Sequence, residues 1–207
     1  MAVQFGSEIL DTLLAPGIST FNTANVPALS EKFPQAEHWI SNLFLNRLFG
    51  ARYNRTWHQT AVTFIHRTQV SMREYELARS TTLRCTAVFS SGRPDSSSYF
   101  RAVSHLETVL LNIQISLDLF LKVISPGALE TDDAVRIRQA ANRIKHFAED
   151  VRSAGDAADL TLPLWLGKDG LVTRAASVTY AELAENLVEM GRAADILQNP
   201  SAPAPSP

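Results

Sequence analysis

The fold is decided by "YFRAVSHLETVLLNIQISLDLFLKVI", residues 99–124, which is long, apolar and free of glycine and proline. At about 100° per residue along a helix, its apolar side chains form two stripes, with a narrow polar line between them. A helix that is apolar on two sides is typical of the centre of a bundle, or of a position between a core and a dimer interface. One stripe contains Tyr99, Leu106, Leu110, Ile113, Leu117 and Ile124, the other contains Leu111, Ile115 and Leu119, and the polar line contains Glu107, Gln114, Asp118 and Lys122.

Helices are also predicted before this stretch. Residues 54–89 contain no glycine or proline, and their apolar residues recur at helical spacings, which indicates one long helix. The loop "SSGRPDSSS", residues 90–98, separates this helix from the central one. A shorter helix is predicted between Pro34 and Gly50.

A further helix is predicted after the central one. Thr131 is expected to cap it, with Asp132 and Asp133 in the first turn, where acidic side chains suit the helix dipole. The apolar spacing extends this helix to about Ala154.

The chain changes character after Gly155. Short apolar runs on either side of Lys168-Asp169-Gly170 predict a small β-hairpin near residues 160–175. A capping box, Thr179 to Glu182, opens a final helix that is predicted to end near Leu197.

These patterns predict a mainly all-α fold. It is a bundle of four to five main helices, formed by residues 31–198 and including the hairpin. Residues 1–30 form an N-terminal segment of unclear role. The tail, residues 199–207, is rich in proline, serine and alanine and is predicted to be disordered.

The net charge of −2 predicts no general attraction to nucleic acid or to an acidic membrane, but the charge is unevenly distributed. From Arg47 to Arg101 there are nine arginines, no lysine and three acids, whereas the chain from Ala102 onward has nine basic and fourteen acidic residues. Arginine without lysine favours planar, bidentate recognition of carboxylate or phosphate. The alternative is a solvated or internally paired helix face.

A reducing, cytoplasmic location is expected from three features. Cys85 is the only cysteine, so it can form no intrachain disulfide. The first residues lack the basic start of a signal peptide. The most apolar run is interrupted by polar residues, so no membrane span is expected. No metal site or cofactor is predicted.

The candidate site lies in "ANRIKHFAED", residues 140–149. Asn142, His146 and Arg138 point away from the predicted core stripe of their helix. His146 is a candidate general acid or base, Asn142 could orient it or a substrate, and Lys145 is the third candidate catalytic residue. Arg138 and Arg143 are candidate phosphate contacts. Such a group could cleave RNA without a metal, with the 2′-hydroxyl as nucleophile. The alternative is a solvated helix face.

A family resemblance is carried by the order of these segments over roughly residues 35–198. A long helix is followed by the central one, then by "NRIKHF", "LPLWLGKDGLV" and "VTYAEL". This order resembles bacterial helical-bundle proteins of the HEPN superfamily, which are dimers. Many are metal-independent ribonucleases in toxin–antitoxin or antiphage systems, and others bind nucleotides or RNA without catalysis.

The HEPN catalytic signature is only partly matched. It is an arginine followed, after four to six positions, by a histidine, whereas seven residues separate Arg138 from His146 and two separate Arg143 from it. His146 therefore corresponds to the signature histidine, and no arginine corresponds to the signature arginine. The resemblance implies a homodimer that binds or cleaves RNA, with an antitoxin as a candidate partner. The alternative is a non-catalytic protein-interaction or dimerisation module.

Overall fold

The structure is a computed structural model that describes residues 26–29, 32–48, 55–90, 96–154, 162–167, 169–173 and 175–198. The predictions for residues 1–25 and for the tail, 199–207, lie outside these ranges. The described chain is mostly helical, as the sequence predicts. The helices are α1 (Trp39–Leu48), α2 (Arg55–Ser90), α3 (Ser96–Leu119), α4 (Asp132–Lys145), α5 (Phe147–Ala154) and α6 (Tyr180–Gln198), and the strands are β1 (Trp165–Leu166), β2 (Gly170–Val172) and β3 (Ser177–Thr179).

Helix α3 lies at the centre of the bundle and packs most extensively on α2, then on α4. The first predicted stripe forms core, with Tyr99, Leu106, Leu110 and Ile113 buried. The second stripe is half-buried. Helix α6 closes the bundle by packing on α2 and α1. The two apolar stripes of α3 thus correctly predict its position at the centre of the bundle.

The end of α3 differs from a plain helix. From Phe120 to Ile124 the backbone winds as a π-helix, and the amide of Ser125 closes it by donating to the carbonyl of Phe120 at 2.8 Å. The Phe120 ring packs on Phe64 of α2, with 5.8 Å between ring centroids. Apolar periodicity alone does not distinguish this wider turn from α-helix.

The predicted helix from residue 131 to about Ala154 is interrupted, which corrects the sequence interpretation. Helix α4 ends at Lys145, His146 has φ −98° and ψ 11°, and α5 begins at Phe147. Ile137 and Ala141 are fully buried, but Ala148, the next member of the predicted stripe after Ile144, is exposed. The predicted stripe has therefore passed the edge of the core by the point where the helix is interrupted.

The predicted hairpin forms, and it belongs to a three-stranded antiparallel sheet with the order β1-β2-β3. Trp165 pairs with Val172, and Gly170 pairs with Thr179 of the third strand, which was not predicted. A Cβ at Gly170 would lie 2.2 Å from the carbonyl oxygen of Val178, so the close approach of β3 requires glycine there.

The hydroxyl groups of three buried tyrosines form hydrogen bonds with the backbone of the non-helical segments. The hydroxyl of Tyr75 donates to the carbonyl of Pro27 at 2.9 Å, and that of Tyr180 donates to Gly167 at 3.2 Å. The hydroxyl of Tyr99 accepts from the amide of Leu166 at 3.2 Å. Burial raises the pKa of all three phenols well above their usual range, so they remain neutral donors or acceptors. Among the described helices, none has the length and apolar character to cross a lipid bilayer.

Candidate functional site

His146 lies in the open at the junction between α4 and α5. Its ring Nδ1 is 3.1 Å from the Oε2 of Glu149, and both side chains are more than half exposed. The ring forms no other hydrogen bond or ion pair with a described residue, and the adjacent Lys145 is exposed as well. A carboxylate on one nitrogen fixes the orientation of an imidazole and leaves the other nitrogen to exchange a proton. This pair has the elements of a general acid or base.

Arg138 and Asn142 instead form a polar seam between α4 and α3. The Arg138 guanidinium lies 2.9 Å from Glu130 and 3.6 Å from Asp118 of α3. The side-chain oxygen of Asn142 accepts from the Nε2 of Gln114 at 2.6 Å. The second face of α4 thus meets the polar line of α3. Two carboxylates offset the charge of Arg138, which leaves it little capacity for a phosphate.

The structure therefore divides the predicted site residues into two groups. His146 and Lys145 are accessible at the helix junction, whereas Arg138 and Asn142 join two helices. Arg143 is half-buried. The glutamate that orients His146, Glu149, was not among the predicted site residues. Its spacing of three from His146 along a helical pattern was the available signal.

A second feature is an exposed basic face on α2. Arg55, His66, Arg73 and Arg84 are all exposed, and their spacings of 11, 7 and 11 residues place them within about 20° of one line along the helix. Arg55, His66 and Arg84 form no ion pair with any described residue. Arg73 lies 3.2 Å from Glu74, which also contacts His105. We call these four residues the basic face.

Two other arginines of α2 point elsewhere and have structural roles. Arg67 donates to the side-chain oxygen of Asn112 on α3 at 2.9 Å, and Arg79 donates to the carbonyl of Val26 at 3.0 Å. The arginine-rich region is therefore mixed, with some members paired internally and others aligned on one exposed face. The sequence signal for this alignment is that members of the basic face recur 11 or 18 residues apart. Both spacings return to nearly the same side of a helix.

The described residues contain no group of three or more histidine, cysteine, aspartate or glutamate side chains placed to hold a metal ion. Comparison with protein-family models, with curated proteins and with solved structures finds no match to this chain.

Proposed function

We propose that the protein binds RNA, with the basic face of α2 as its phosphate-contacting surface. The observation that supports the proposal is the alignment of Arg55, His66, Arg73 and Arg84 on one exposed line. At 1.5 Å per residue, neighbouring members are about 10 to 16 Å apart, and the line is about 43 Å long. A single small anion can contact only one of them. An extended polyanion can contact all of them.

The chemistry of the side chains favours RNA among the polyanions. A planar guanidinium binds phosphate through two hydrogen bonds and also stacks on an unpaired base, which an ammonium group does not. Three of the four members of the basic face are arginines, which are charged at every physiological pH. Unpaired bases with accessible faces are typical of single-stranded RNA.

The test is binding of a 16-nucleotide single-stranded RNA at several salt concentrations. The double variant Arg55→Gln/Arg84→Gln removes two phosphate contacts, so the slope of log K against log salt should become shallower by about 1.4. The control, Arg152→Gln/Arg192→Gln, makes the same change in net charge on exposed arginines outside the basic face. An equal loss of affinity in both double variants would contradict the proposal. Tighter binding to DNA of the same sequence would mean that DNA, and not RNA, is the preferred ligand of the basic face.

RNA cleavage is the second candidate function, and the pairing of His146 with Glu149 supports it. With Glu149 on Nδ1, Nε2 of His146 takes the proton of an RNA 2′-hydroxyl, whose oxygen attacks the adjacent phosphorus to form a 2′,3′-cyclic phosphate, and the displaced 5′-oxygen leaves with a proton from water. Lys145 would offset charge on the phosphate. This is the metal-independent chemistry of an antiphage or toxin–antitoxin ribonuclease. The engagement of Arg138 and Asn142 in the seam favours the alternative, a non-catalytic interaction module.

Cleavage is tested by expressing the wild type beside His146→Ala and following growth and RNA integrity. The catalytic role predicts arrest and RNA cleavage with the wild type, both absent in the variant. His38→Ala is a suitable control, because His38 is also exposed and pairs with a glutamate, Glu37, at 3.4 Å. Binding of RNA in vitro with no cleavage by any of the three proteins would support the non-catalytic module.

A further inference from the structure

A cavity of about 420 Å³ lies between α2 and the segment before α1. The volume falls in the lower part of the range of roughly 300–1,000 Å³ that is typical of small-molecule sites. Much of the wall is apolar, and the apolar residues that line it are Leu29, Phe33, Ala36, Val70 and Met72. The cavity can therefore hold the apolar group of a small molecule.

The segment before α1 is attached to α2 by two hydrogen bonds at this cavity. The amide of Leu29 donates to Glu76 at 2.5 Å, and Nε2 of Gln69 donates to the carbonyl of Ala36 at 2.5 Å. All four residues line the cavity. The two hydrogen bonds therefore hold its opposite walls together, so the cavity is a built feature of the bundle.

Four polar side chains of α2 border the cavity in a regular arrangement. His66 and Arg73 are seven residues apart, and so are Gln69 and Glu76. Each of the two acceptors follows a basic residue by three positions, which places their β-carbons about 5–6 Å apart on the helix surface. Glu37, on the segment before α1, adds a second carboxylate. The border of the cavity thus offers a cation and a carboxylate side by side.

The side chains of Arg73 and Glu76 can both reach a ligand. The Arg73 side chain is 68% exposed, and its contact with Glu74 at 3.2 Å is a surface ion pair of the kind that contributes little stability. Its guanidinium can therefore bind a ligand carboxylate through two hydrogen bonds. The Glu76 carboxylate accepts from the Leu29 amide through Oε1, and a carboxylate has several acceptor positions, so it can also accept from a ligand ammonium group.

We propose that this cavity binds a free α-amino acid with a large apolar side chain. The side chain fills the apolar space beside Phe33, the ammonium group donates to Glu76, and the carboxylate accepts from Arg73. An α-amino acid carries both charged groups on one carbon atom, which suits a cation and an anion at neighbouring positions on one helix face. An amine without a carboxylate has no group for Arg73, and a carboxylate without an ammonium group would meet the like charge of Glu76 uncompensated.

Calorimetric titration of the full chain with phenylalanine and three analogues tests the site. Phenylethylamine lacks the carboxylate, phenylpropanoate lacks the ammonium group, and glycine lacks the apolar side chain. Phenylalanine should bind saturably with a Kd below about 1 mM, and each analogue should bind at least about tenfold more weakly. No saturable binding of phenylalanine up to about 1 mM, or an analogue that binds as tightly, would overturn the proposal.

Two charge variants test the proposed contacts without filling the cavity. Arg73→Gln should weaken phenylalanine binding by at least about tenfold and should not weaken phenylethylamine binding, because the amine has no group for Arg73. Glu76→Gln keeps an acceptor for the Leu29 amide, and it should weaken the binding of phenylalanine but not of phenylpropanoate. Unchanged affinity for phenylalanine in either variant would contradict the proposed orientation of the ligand and overturn the site.

A third variant tests the apolar space. Val70→Phe fills the cavity and should weaken phenylalanine binding by at least about tenfold, whereas Val135→Phe, an equal change at an exposed position of α4, should not. Equal effects of the two substitutions would place the apolar group elsewhere and overturn the proposal. Arg55→Gln/Arg84→Gln should leave phenylalanine binding unchanged, so failure of the cavity and failure of the RNA surface can be told apart.

Discussion

The environment of Glu107 disfavours the ionised form of its carboxyl group. It lies half-buried on α3, and no described residue forms an ion pair or hydrogen bond with its carboxylate. Arg67 of α2, which faces α3, donates to Asn112 and not to Glu107. Loss of hydration raises the pKa of the Glu107 carboxyl. The ionised form therefore destabilises the folded state at neutral pH.

Glu107→Gln should stabilise the protein at neutral pH by a few tenths to about 1 kcal/mol, or roughly 2–4 °C in Tm at the upper value. The folded carboxyl has the higher pKa, so the penalty is present above that pKa and disappears as the pH falls through it, when the wild-type group is also neutral. Thermal unfolding at several pH values measures this convergence. A variant less stable than the wild type at pH 7 would mean that the charge of Glu107 is favourable.

At the scale of elements, one carboxylate joins a helix cap to a neighbouring helix. Glu182 accepts from the amide of Thr179 at 2.7 Å, and the Thr179 hydroxyl accepts from the amide of Glu182 at 3.1 Å, which confirms the predicted capping box. Glu182 also contacts Arg136 of α4. Burial alone would raise the pKa of Glu182, but these hydrogen bonds and the charge of Arg136 outweigh it and lower the pKa.

Glu182→Gln should therefore destabilise the protein by about 1 kcal/mol at neutral pH. Because the folded pKa is the lower one, the stabilisation by Glu182 is complete above the unfolded pKa and is lost as the pH falls through the folded value. The difference between variant and wild type should then vanish in acid. Glu185→Gln, on the exposed side of the same helix, is the control and should change stability little. Equal effects of the two substitutions would exclude the link to α4.

The sequence predicts an element correctly when the residues that determine it lie close together in the chain. The long α2, the Thr131 cap with its bond from the amide of Ala134, and the hairpin all depend on residues close in the chain. The break at His146 depends on where the core ends, which is a tertiary fact. Strand β3 is only three residues long and merges with the capping box, so its pattern is too short to recognise.

The positions of the candidate site residues in the fold could be predicted only in part. The helical projection correctly turned Asn142 and Arg138 away from the core of α4, but a projection cannot say what covers the second face. That face meets Gln114 and Asp118, members of the polar line of α3 that the sequence also showed. Only the packing of α3 on α4 joins the two patterns into one seam. The seam leaves His146 and Lys145 exposed at its end.

At the scale of the whole molecule, α2 aligns three arginines and one histidine on an exposed line although the net charge is −2. A local field of this kind attracts a polyanion that the average charge would repel, and screening by salt weakens the attraction. The geometry adds a requirement for length. A ligand must extend over about 43 Å to contact both Arg55 and Arg84.

Salt dependence should consequently increase with RNA length. A 4-nucleotide strand reaches two neighbouring members of the basic face, whereas a 16-nucleotide strand reaches all four. The slope of log K against log salt should therefore be steeper for the longer strand by about 1.4, which corresponds to two additional phosphate contacts. The slope separates this effect from the larger number of binding registers on a long strand, because registers change affinity but not counterion release. In Arg55→Gln/Arg84→Gln the two lengths should give nearly equal slopes. Equal slopes already in the wild type would show that RNA binds at one point rather than along α2.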